Sequence, residues 1–235
     1  MGGCRGPPRL LSFHLSGVAS GAIEKRIVGG TSCDKNRQYH VQIETLQGGK
    51  FCGGSLLNTR WIITASHCAE HNITAVHRGK GTIKKVFTFK DEEEHVHDIM
   101  LIKLKEDVSA KLPTIDLPPV ECSRPDKGQQ VQIGGWGYKK QDKIPSSLKC
   151  ANTQVTDCGE EDKPDSKYHS DETTTMCAFK AGVESCFGDA GSAVEYNNVL
   201  HGIIVSDPPD KCANTIVMLD ICRYREWIEK TLREK

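Results

Sequence analysis

The sequence lacks several features that would place it in common classes of protein. Its 235 residues contain no apolar run of about 18 residues, which excludes a transmembrane helix. Neither sign of charge is in excess, because 31 Lys and Arg residues balance 31 Asp and Glu residues. We therefore expect neither nucleic acid nor an anionic membrane surface as a partner. A hydrophobic fraction of 37% and a charged fraction of 26% are typical of a soluble folded protein.

Cysteine is abundant, and none of the eleven cysteines forms the paired C-x-x-C motifs that bind zinc. Disulfides and an oxidising, extracellular compartment are the alternative for a chain of this kind. Because the count is odd, at least one thiol has no partner within the chain.

Residues 1–26 differ in composition from the rest of the chain. Their apolar stretch is interrupted by Ser, His and Gly, so it is a poor secretory signal. The segment ends in Glu24-Lys25-Arg26, a dibasic site that trypsin-like enzymes cut. We expect a pro-segment or an artificial N-terminal extension over 1–26 and one domain over 27–235.

The pattern beyond residue 26 is mostly that of β-strands. Apolar and polar residues alternate over 41–45 and, more loosely, over 86–89. Residues 100–104 and 202–206 are short and almost fully apolar, as strands buried on both faces are. The chain is therefore predicted to be all-β over most of its length.

Two further local patterns complete this prediction. Residues 194–200 indicate a hairpin, since the asparagines at its centre tolerate the left-handed backbone of a tight turn. A C-terminal α-helix over about 223–233 is predicted by apolar residues that share one helical face: Tyr224, Trp227, Ile228 and Leu232.

Five motifs follow one another along the chain in a family order: Ile27-Val-Gly-Gly30, Phe51-Cys-Gly-Gly-Ser55 with Thr64-Ala-Ser-His67-Cys68, Asp98-Ile-Met-Leu-Ile-Lys-Leu104, Gly134-Gly-Trp-Gly137, and Glu184-Ser-Cys186-Phe-Gly188-Asp189-Ala190-Gly191. Together they resemble the trypsin-like serine proteases of the chymotrypsin fold, over about nine-tenths of the chain. The resemblance implies two six-stranded antiparallel β-barrels, over about 41–118 and about 128–222, with an active cleft between them.

The resemblance also implies a pairing for ten of the cysteines. The expected disulfides are Cys33–Cys150, Cys52–Cys68, Cys122–Cys222, Cys158–Cys177 and Cys186–Cys212. Only Cys4, within residues 1–26, is left over.

Three positions match the catalytic triad of the family, and the one that matches the nucleophile has no hydroxyl group. His67 and Asp98 correspond to the general base and to the carboxylate that orients it. The nucleophile position holds Ala190, whose methyl group cannot attack a carbonyl, so no acyl-enzyme forms there. The oxyanion-hole amides correspond to Gly188 and Ala190. We therefore expect a vestigial triad and no functional catalytic residue.

The specificity pocket of the family is altered as well. Its floor corresponds to Glu184, and one wall has Asp207 and Pro208 where relatives have Trp and Gly. Pro208 lacks the N–H group that docks a substrate strand. The opposite wall corresponds to Ile216 in place of glycine, so we expect an occluded pocket. Relatives also carry Gly-Gly-Pro after the nucleophile, where this chain has residues 191–193 as Gly-Ser-Ala.

The activation pair of the family is retained. Cleavage before Ile27 would free an amine that pairs with Asp189, and this pair orders the pocket loops in active relatives. We expect the cleaved form to fold in the usual way.

The remaining candidate sites have simpler explanations. Asn72 begins an N-x-T sequon and is a glycosylation candidate. Ser192 lies two residues beyond the nucleophile position and should point away from the base. His95 and His97 form an isolated H-x-H, and residues 91–94 an acidic run; both are typical of solvated surface. We expect no metal and no cofactor.

The combination resembles the inactivated serine protease paralogues of scabies mites, relatives of the group 3 mite allergens. This resemblance implies a secreted pseudoprotease that binds host proteins, with complement components as the suspected partners and no small-molecule substrate. One alternative is an active trypsin-like endopeptidase silenced by an engineered serine-to-alanine change. Another is a pseudoprotease of a different kind, such as a cofactor of another cascade or an antimicrobial binder.

Overall fold

The computed structural model describes residues 27–45, 51–69, 73–77, 81–136, 147–186, 188–206 and 212–234. Residues 1–26 with Cys4, the sequon residue Asn72, and the pocket residues Asp207 and Pro208 lie outside the described residues. In chain order, the strands of the described part are β1 (Thr31–Ser32), β2 (His40–Thr45), β3 (Phe51–Leu56), β4 (Trp61–Thr64), β5 (Ile73–His77), β6 (Ile83–Lys90), β7 (Val96–Leu104), β8 (Gln130–Gly135), β9 (Lys149–Thr156), β10 (Thr175–Phe179), β11 (Ala193–Tyr196), β12 (Val199–Ile204) and β13 (Thr215–Asp220). A helix, α1 (Ile221–Leu232), follows β13 directly.

The first sheet is antiparallel, with the strand order β5-β2-β3-β4-β7-β6. A single bridge between Val76 and Gly81 joins β5 to the residues just before β6. Every residue of β7 after Val96 is buried, which confirms the buried strand predicted from the apolar run at 100–104. The alternating segments at 41–45 and 86–89 lie in β2 and β6, as predicted.

The second sheet closes on itself. Its order is β1-β9-β10-β13-β12-β11-β8, and β8 also pairs with β9, so six strands form a barrel with the short β1 attached to β9. The predicted hairpin is present between β11 and β12, with Asn197 and Asn198 at φ of 52° and 63°. The apolar segment at 202–206 enters this barrel as the end of β12. The fold is therefore the chymotrypsin fold that the motifs implied.

The C-terminal helix begins at Ile221, two residues before the predicted start, and ends at Leu232. Its N-cap is Asp220, whose side chain accepts a hydrogen bond of 3.0 Å from the N–H of Cys222. This cap satisfies one of the free amides of the first turn and fixes the start of the helix. Tyr224 and Ile228 of the predicted apolar face are buried. No helix in the described part is long and apolar enough to cross a membrane.

The five disulfides of the structure are the five pairs that the resemblance implied. Two of them close loops of more than 90 residues, and such cross-links stabilise a fold chiefly by restricting the unfolded chain.

A buried ion pair joins the two sheets at the point where the chain passes from β1 to β2. The side chain of Arg37 is fully buried, lies 3.0 Å from Oε1 of Glu195 on β11, and donates to the carbonyls of Gln132 and Ala193. The hydroxyl of Tyr39 donates to the same Glu195 carboxylate, and burial raises the pKa of Tyr39. The sequence patterns gave no sign of this network.

Candidate active site

The base and orienter positions come together as the sequence predicts. His67 lies on a short 3-10 helix, Ser66–Ala69, which the Cys52–Cys68 disulfide ties to β3. Asp98, the third residue of β7, is fully buried. Its Oδ2 lies 2.7 Å from Nδ1 of His67, and its Oδ1 accepts the backbone N–H of His67 at 2.8 Å. Because the carboxylate only accepts, the Nδ1 proton points to Asp98 and Nε2 faces the other way.

The loop that carries the nucleophile position is held by backbone hydrogen bonds. The carbonyl of Ala190 accepts the N–H of Gly53 at 2.7 Å, and the N–H of Gly191 donates to Ile204 at 2.7 Å. Gly191 has a φ of +81°, and a Cβ there would lie 2.2 Å from Oγ1 of Thr64. Only glycine allows this close approach to the first sheet. The loop is therefore packed against both sheets.

The two oxyanion-hole positions lie in this loop. Gly188 has a φ of 90°, and the N–H groups of Gly188 and Ala190 donate no hydrogen bond to another residue in the described part of the chain. Ala190 has no exposed surface, and Nε2 of His67 is also buried. The amides at the predicted oxyanion-hole positions thus have no partner among the described residues, beside an alanine and an imidazole nitrogen that are both buried.

Ser192 does not replace the missing hydroxyl. It is fully buried, and a Cβ on Gly53 of β3 would lie 2.0 Å from its Oγ. The hydroxyl therefore packs against the strand before the histidine motif. No hydrogen-bond partner of Ser192 Oγ lies among the described residues.

A cavity of about 380 Å³ borders His67. One side is formed by the loop at residues 161–165, and the other side by residues from the ends of β12 and β13: Val205, Ser206, Ala213, Thr215 and Val217. The imidazole of His67 therefore borders an open space between the 161–165 loop and the β12–β13 region.

Two of the predicted pocket residues, Glu184 and Ile216, lie outside this cavity. Glu184 is half-buried, and its backbone pairs with that of Val28 through hydrogen bonds of 3.1 and 3.3 Å. Ile216 is fully buried in the core of the second barrel, opposite Ala178 on β10. Neither residue lines the 380 Å³ cavity. Their grouping with residues 207–208 into one occluded pocket stays a prediction.

Both members of the predicted activation pair are buried. Ile27 is 3% exposed and packs with Val183 in the second core cluster. Asp189 is fully buried and accepts the N–H of Cys186 at 2.9 Å. A Cβ on Gly135 would lie 1.9 Å from Oδ1 of Asp189, so only glycine leaves room for this carboxylate. The ion pair between a cleaved Ile27 and Asp189 stays a prediction.

Three imidazoles and a carboxylate meet at the start of β7, the strand that carries Asp98. They belong to Asp91, His95, His97 and His169, and we call this group the histidine cluster. His95 and His169 stack with ring centroids 4.8 Å apart, and Oδ2 of Asp91 lies 3.0 Å from Nδ1 of His95. The same oxygen lies 3.4 Å from Nε2 of His97, whose side chain is 5% exposed. We expected both histidines of the H-x-H pattern to lie at the surface, but only His95 is exposed and His97 is buried.

Burial and hydrogen bonding shift the acidity of this cluster. Burial opposes ionisation of Asp91, but hydrogen bonds from the His95 backbone and ring, from His97 and from the Glu93 backbone lower its pKa to about 2. Burial lowers the pKa of His97 and raises that of Tyr224, whose hydroxyl lies 2.9 Å from Nδ1 of His97.

Sequence reasoning missed His169 entirely. It lies far from His97 along the chain and meets it through a bridge of parallel backbone, in which the N–H of His169 donates to Val96 at 2.8 Å. No local spacing could reveal such a contact, because it depends on how the loop between β9 and β10 folds back.

Comparison with known proteins agrees with this geometry. A buried carboxylate that orients an imidazole on a chymotrypsin fold defines the serine-protease class of scaffold. The trypsin family matches residues 27–228, and the chain therefore belongs to that family. Kallikrein-8 of Rattus norvegicus is 32% identical over 255 residues, which cover 96% of this chain and 95% of the relative. Serine protease 1 of Homo sapiens is 30% identical over 250 residues, with 96% and 98% covered.

Solved structures show the same fold. Neuropsin, a serine protease expressed in the limbic system of mouse brain, has 28% identity and a TM-score of 0.68 over 88% of this chain and all of that chain. The scabies mite inactivated protease paralogue S-I1 has 24% identity and a TM-score of 0.71 over the same shares.

Proposed function

We propose that this chain is a catalytically inactive member of the trypsin family that acts outside the cell as a binding protein, inhibiting complement or another host defence cascade. The observation that carries the proposal is Ala190 at the position of the nucleophile. A methyl group forms no acyl-enzyme, and removing the nucleophile of such a triad costs on the order of 10⁶ in turnover.

The burial of this centre supports the same proposal. Ala190 and Nε2 of His67 are both buried, although the His67 side chain as a whole is 11% exposed and borders a cavity. This packing would hinder the approach of a scissile bond, and it does not depend on the missing hydroxyl.

The framework around the centre is fully retained. Five disulfides and the buried Arg37–Glu195 pair fix the sheets, and the loop at 184–193 keeps its backbone hydrogen bonds. A rigid scaffold that presents variable surface loops is well suited to binding another protein. Disulfides of this number also fit an oxidising, extracellular compartment.

The altered pocket positions favour natural loss of activity. A single substitution made to silence an enzyme would leave Glu184, Ile216 and residues 191–193 in their usual family forms. Here all of them depart from the family pattern together. The scabies mite paralogue supports the fold alone at 24% identity, so complement as the target derives from the resemblance in sequence motifs.

A second candidate function is favoured by one specific observation. The 2.7 Å contact between His67 and Asp98 is the arrangement an active enzyme needs. An active trypsin-like endopeptidase silenced by an engineered serine-to-alanine change would show it too. A pseudoprotease cofactor of another cascade would share the inactive centre, and only the identity of the partner separates it from the first proposal.

A haemolysis assay with purified protein and human serum tests the complement proposal. We expect dose-dependent loss of lysis, and capture of complement components when the immobilised protein is incubated with serum. Protein with its five disulfides reduced and alkylated is the matched control, and it should leave lysis unchanged. Full lysis at micromolar protein would contradict complement as the target. Peptidase activity in the unmodified chain would contradict the proposal that the protein is catalytically inactive.

A further inference from the structure

We propose that the histidine cluster is a binding site for a divalent transition-metal ion of the zinc type, which links the two β-sheets beside the vestigial triad. The inference is independent of whether the chain cleaves peptides. One ligand atom each from Asp91, His97 and His169 lie within 4.8 Å of one another. His95 lies next to this group, with Nδ1 3.0 Å from Oδ2 of Asp91.

The spacing of the donor atoms is close to what zinc requires. Zinc binds imidazole nitrogen and carboxylate oxygen at about 2.0–2.1 Å, which puts tetrahedral ligands about 3.4 Å apart. Nε2 of His97 and Oδ2 of Asp91 are already 3.4 Å apart, and Nδ1 of His95 is 3.0 Å from the same oxygen. His169, whose side chain is 39% exposed, can close the remaining gap by turning its ring.

Hydrogen bonds orient the carboxylate of Asp91 without a bound ion. Oδ1 of Asp91 accepts the N–H groups of Glu93 and His95 at 2.9 and 2.8 Å, and this fixes the turn that leads into β7. Oδ2 is therefore the oxygen that faces the imidazoles. A ligand whose second oxygen is held by hydrogen bonds is the arrangement that orients carboxylates in metal sites.

The buried imidazole is held in the same way. Nδ1 of His97 lies 2.9 Å from the hydroxyl of Tyr224 on α1, and Phe89 packs edge-on against the ring. A tyrosine hydroxyl both donates and accepts, so His97 can present either N–H or a bare Nε2 to Asp91. A bare Nε2 of His97 and the Asp91 oxygen beside it are both hydrogen-bond acceptors. A cation placed between them would therefore satisfy both.

The ligands come from two different sheets. Asp91, His95 and His97 belong to the turn and strand of the first sheet, whereas His169 belongs to the loop between β9 and β10 of the second. A bound ion would therefore fix that loop, whose residues 161–165 border the cavity beside His67. The other close group of this kind, Cys52, His67 and Cys68, offers no thiolate because its cysteines form a disulfide.

Calorimetric titration of the disulfide-intact full chain with zinc chloride tests the proposal, after EDTA treatment and desalting. We expect one equivalent to bind, and a melting temperature at least about 5 °C higher when zinc is at 100 times its Kd. His169→Gln and Asp91→Asn should each weaken binding at least 10-fold and abolish the thermal shift. Asn keeps the oxygen that holds the turn, so Asp91→Asn should fold normally.

His201→Gln is the matched control, because His201 lies on β12 against Tyr196, outside the cluster. This variant should bind zinc like the unmodified chain. Calcium should give no thermal shift, since it prefers oxygen ligands. No binding by the unmodified chain at 100 µM zinc would overturn the proposal. Equal binding by His169→Gln and by the unmodified chain would also overturn it, because the ion would then lie elsewhere.

Discussion

Placing a hydroxyl at the nucleophile position by Ala190→Ser is the sharpest test of the proposed inactivity and its cause. If only the hydroxyl were missing, the change would recover on the order of 10⁶ in turnover, because His67 and Asp98 are already 2.7 Å apart. Residue 190 has no exposed surface, however, and Nε2 of His67 is buried. We therefore expect less than about 10²-fold recovery, the low end of what a general base alone contributes.

Two assays separate the reasons for the low activity that we expect of the Ala190→Ser protein. The first measures cleavage of peptides with Lys or Arg before the scissile bond, which needs both the centre and the specificity pocket. The second measures covalent labelling by a small phosphonofluoridate, followed by mass spectrometry, which needs only the hydroxyl, the base and the oxyanion amides. We expect neither reaction in the Ala190→Ser protein. A double variant with His67→Ala shows whether any labelling depends on the imidazole.

Each other outcome refutes a definite part of the reasoning. Labelling at residue 190 without peptide cleavage would refute the inference from burial and leave an altered pocket as the barrier. Cleavage at a trypsin-like rate would mean that a single substitution silenced an active enzyme. Labelling of Ser192 in the unmodified chain would contradict its buried position against Gly53.

Two further predictions concern stability, measured by urea unfolding. Glu195→Gln should cost about 3 kcal/mol, because it leaves the buried Arg37 charge without its partner; Glu94→Gln, in an exposed pair with Lys90, should cost less than about 0.5 kcal/mol. Equal losses would show that the buried pair is not special. Asp220→Ala should cost about 1 kcal/mol through the lost helix cap. Burial raises the pKa of the Asp220 carboxyl in the folded protein. Ionising this carboxyl therefore destabilises the fold, and the destabilisation grows as the pH rises from the ordinary pKa of aspartate to the raised one. Asp220→Asn, which keeps the cap, should therefore be the more stable protein at pH 7 and equal the unmodified chain at pH 3; lower stability at pH 7 would contradict this.

The strands and the helix could be predicted because their signals are local. Alternation over 41–45 and the apolar run at 100–104 are read from neighbouring residues, and a left-handed asparagine pair marks its own turn. The predicted start of the helix was two residues too late because Asp220, the last residue of β13, also serves as the N-cap. A strand that passes directly into a helix leaves no loop for the sequence to reveal.

The candidate site was only partly predictable for a related reason. Motif resemblance located His67, Asp98, the loop at 184–193 and all five disulfides, since these recur at corresponding positions. It could not show that Ala190 and Nε2 of His67 are buried, because their burial depends on packing between distant segments. The contact of His169 with His97 was hidden for the same reason.

The bonding of Asp98 gives the imidazole of His67 a structural role that does not depend on catalysis. This carboxylate sits in the interior with one oxygen capped by a main-chain amide and the other by the ring of the same residue, His67. Exchanging that ring for an aliphatic group would leave Oδ2 of the buried Asp98 without this hydrogen-bond partner. The demands of folding alone therefore favour keeping the two residues together. An intact acid–imidazole couple therefore reflects the demands of the protein interior as well as those of catalysis.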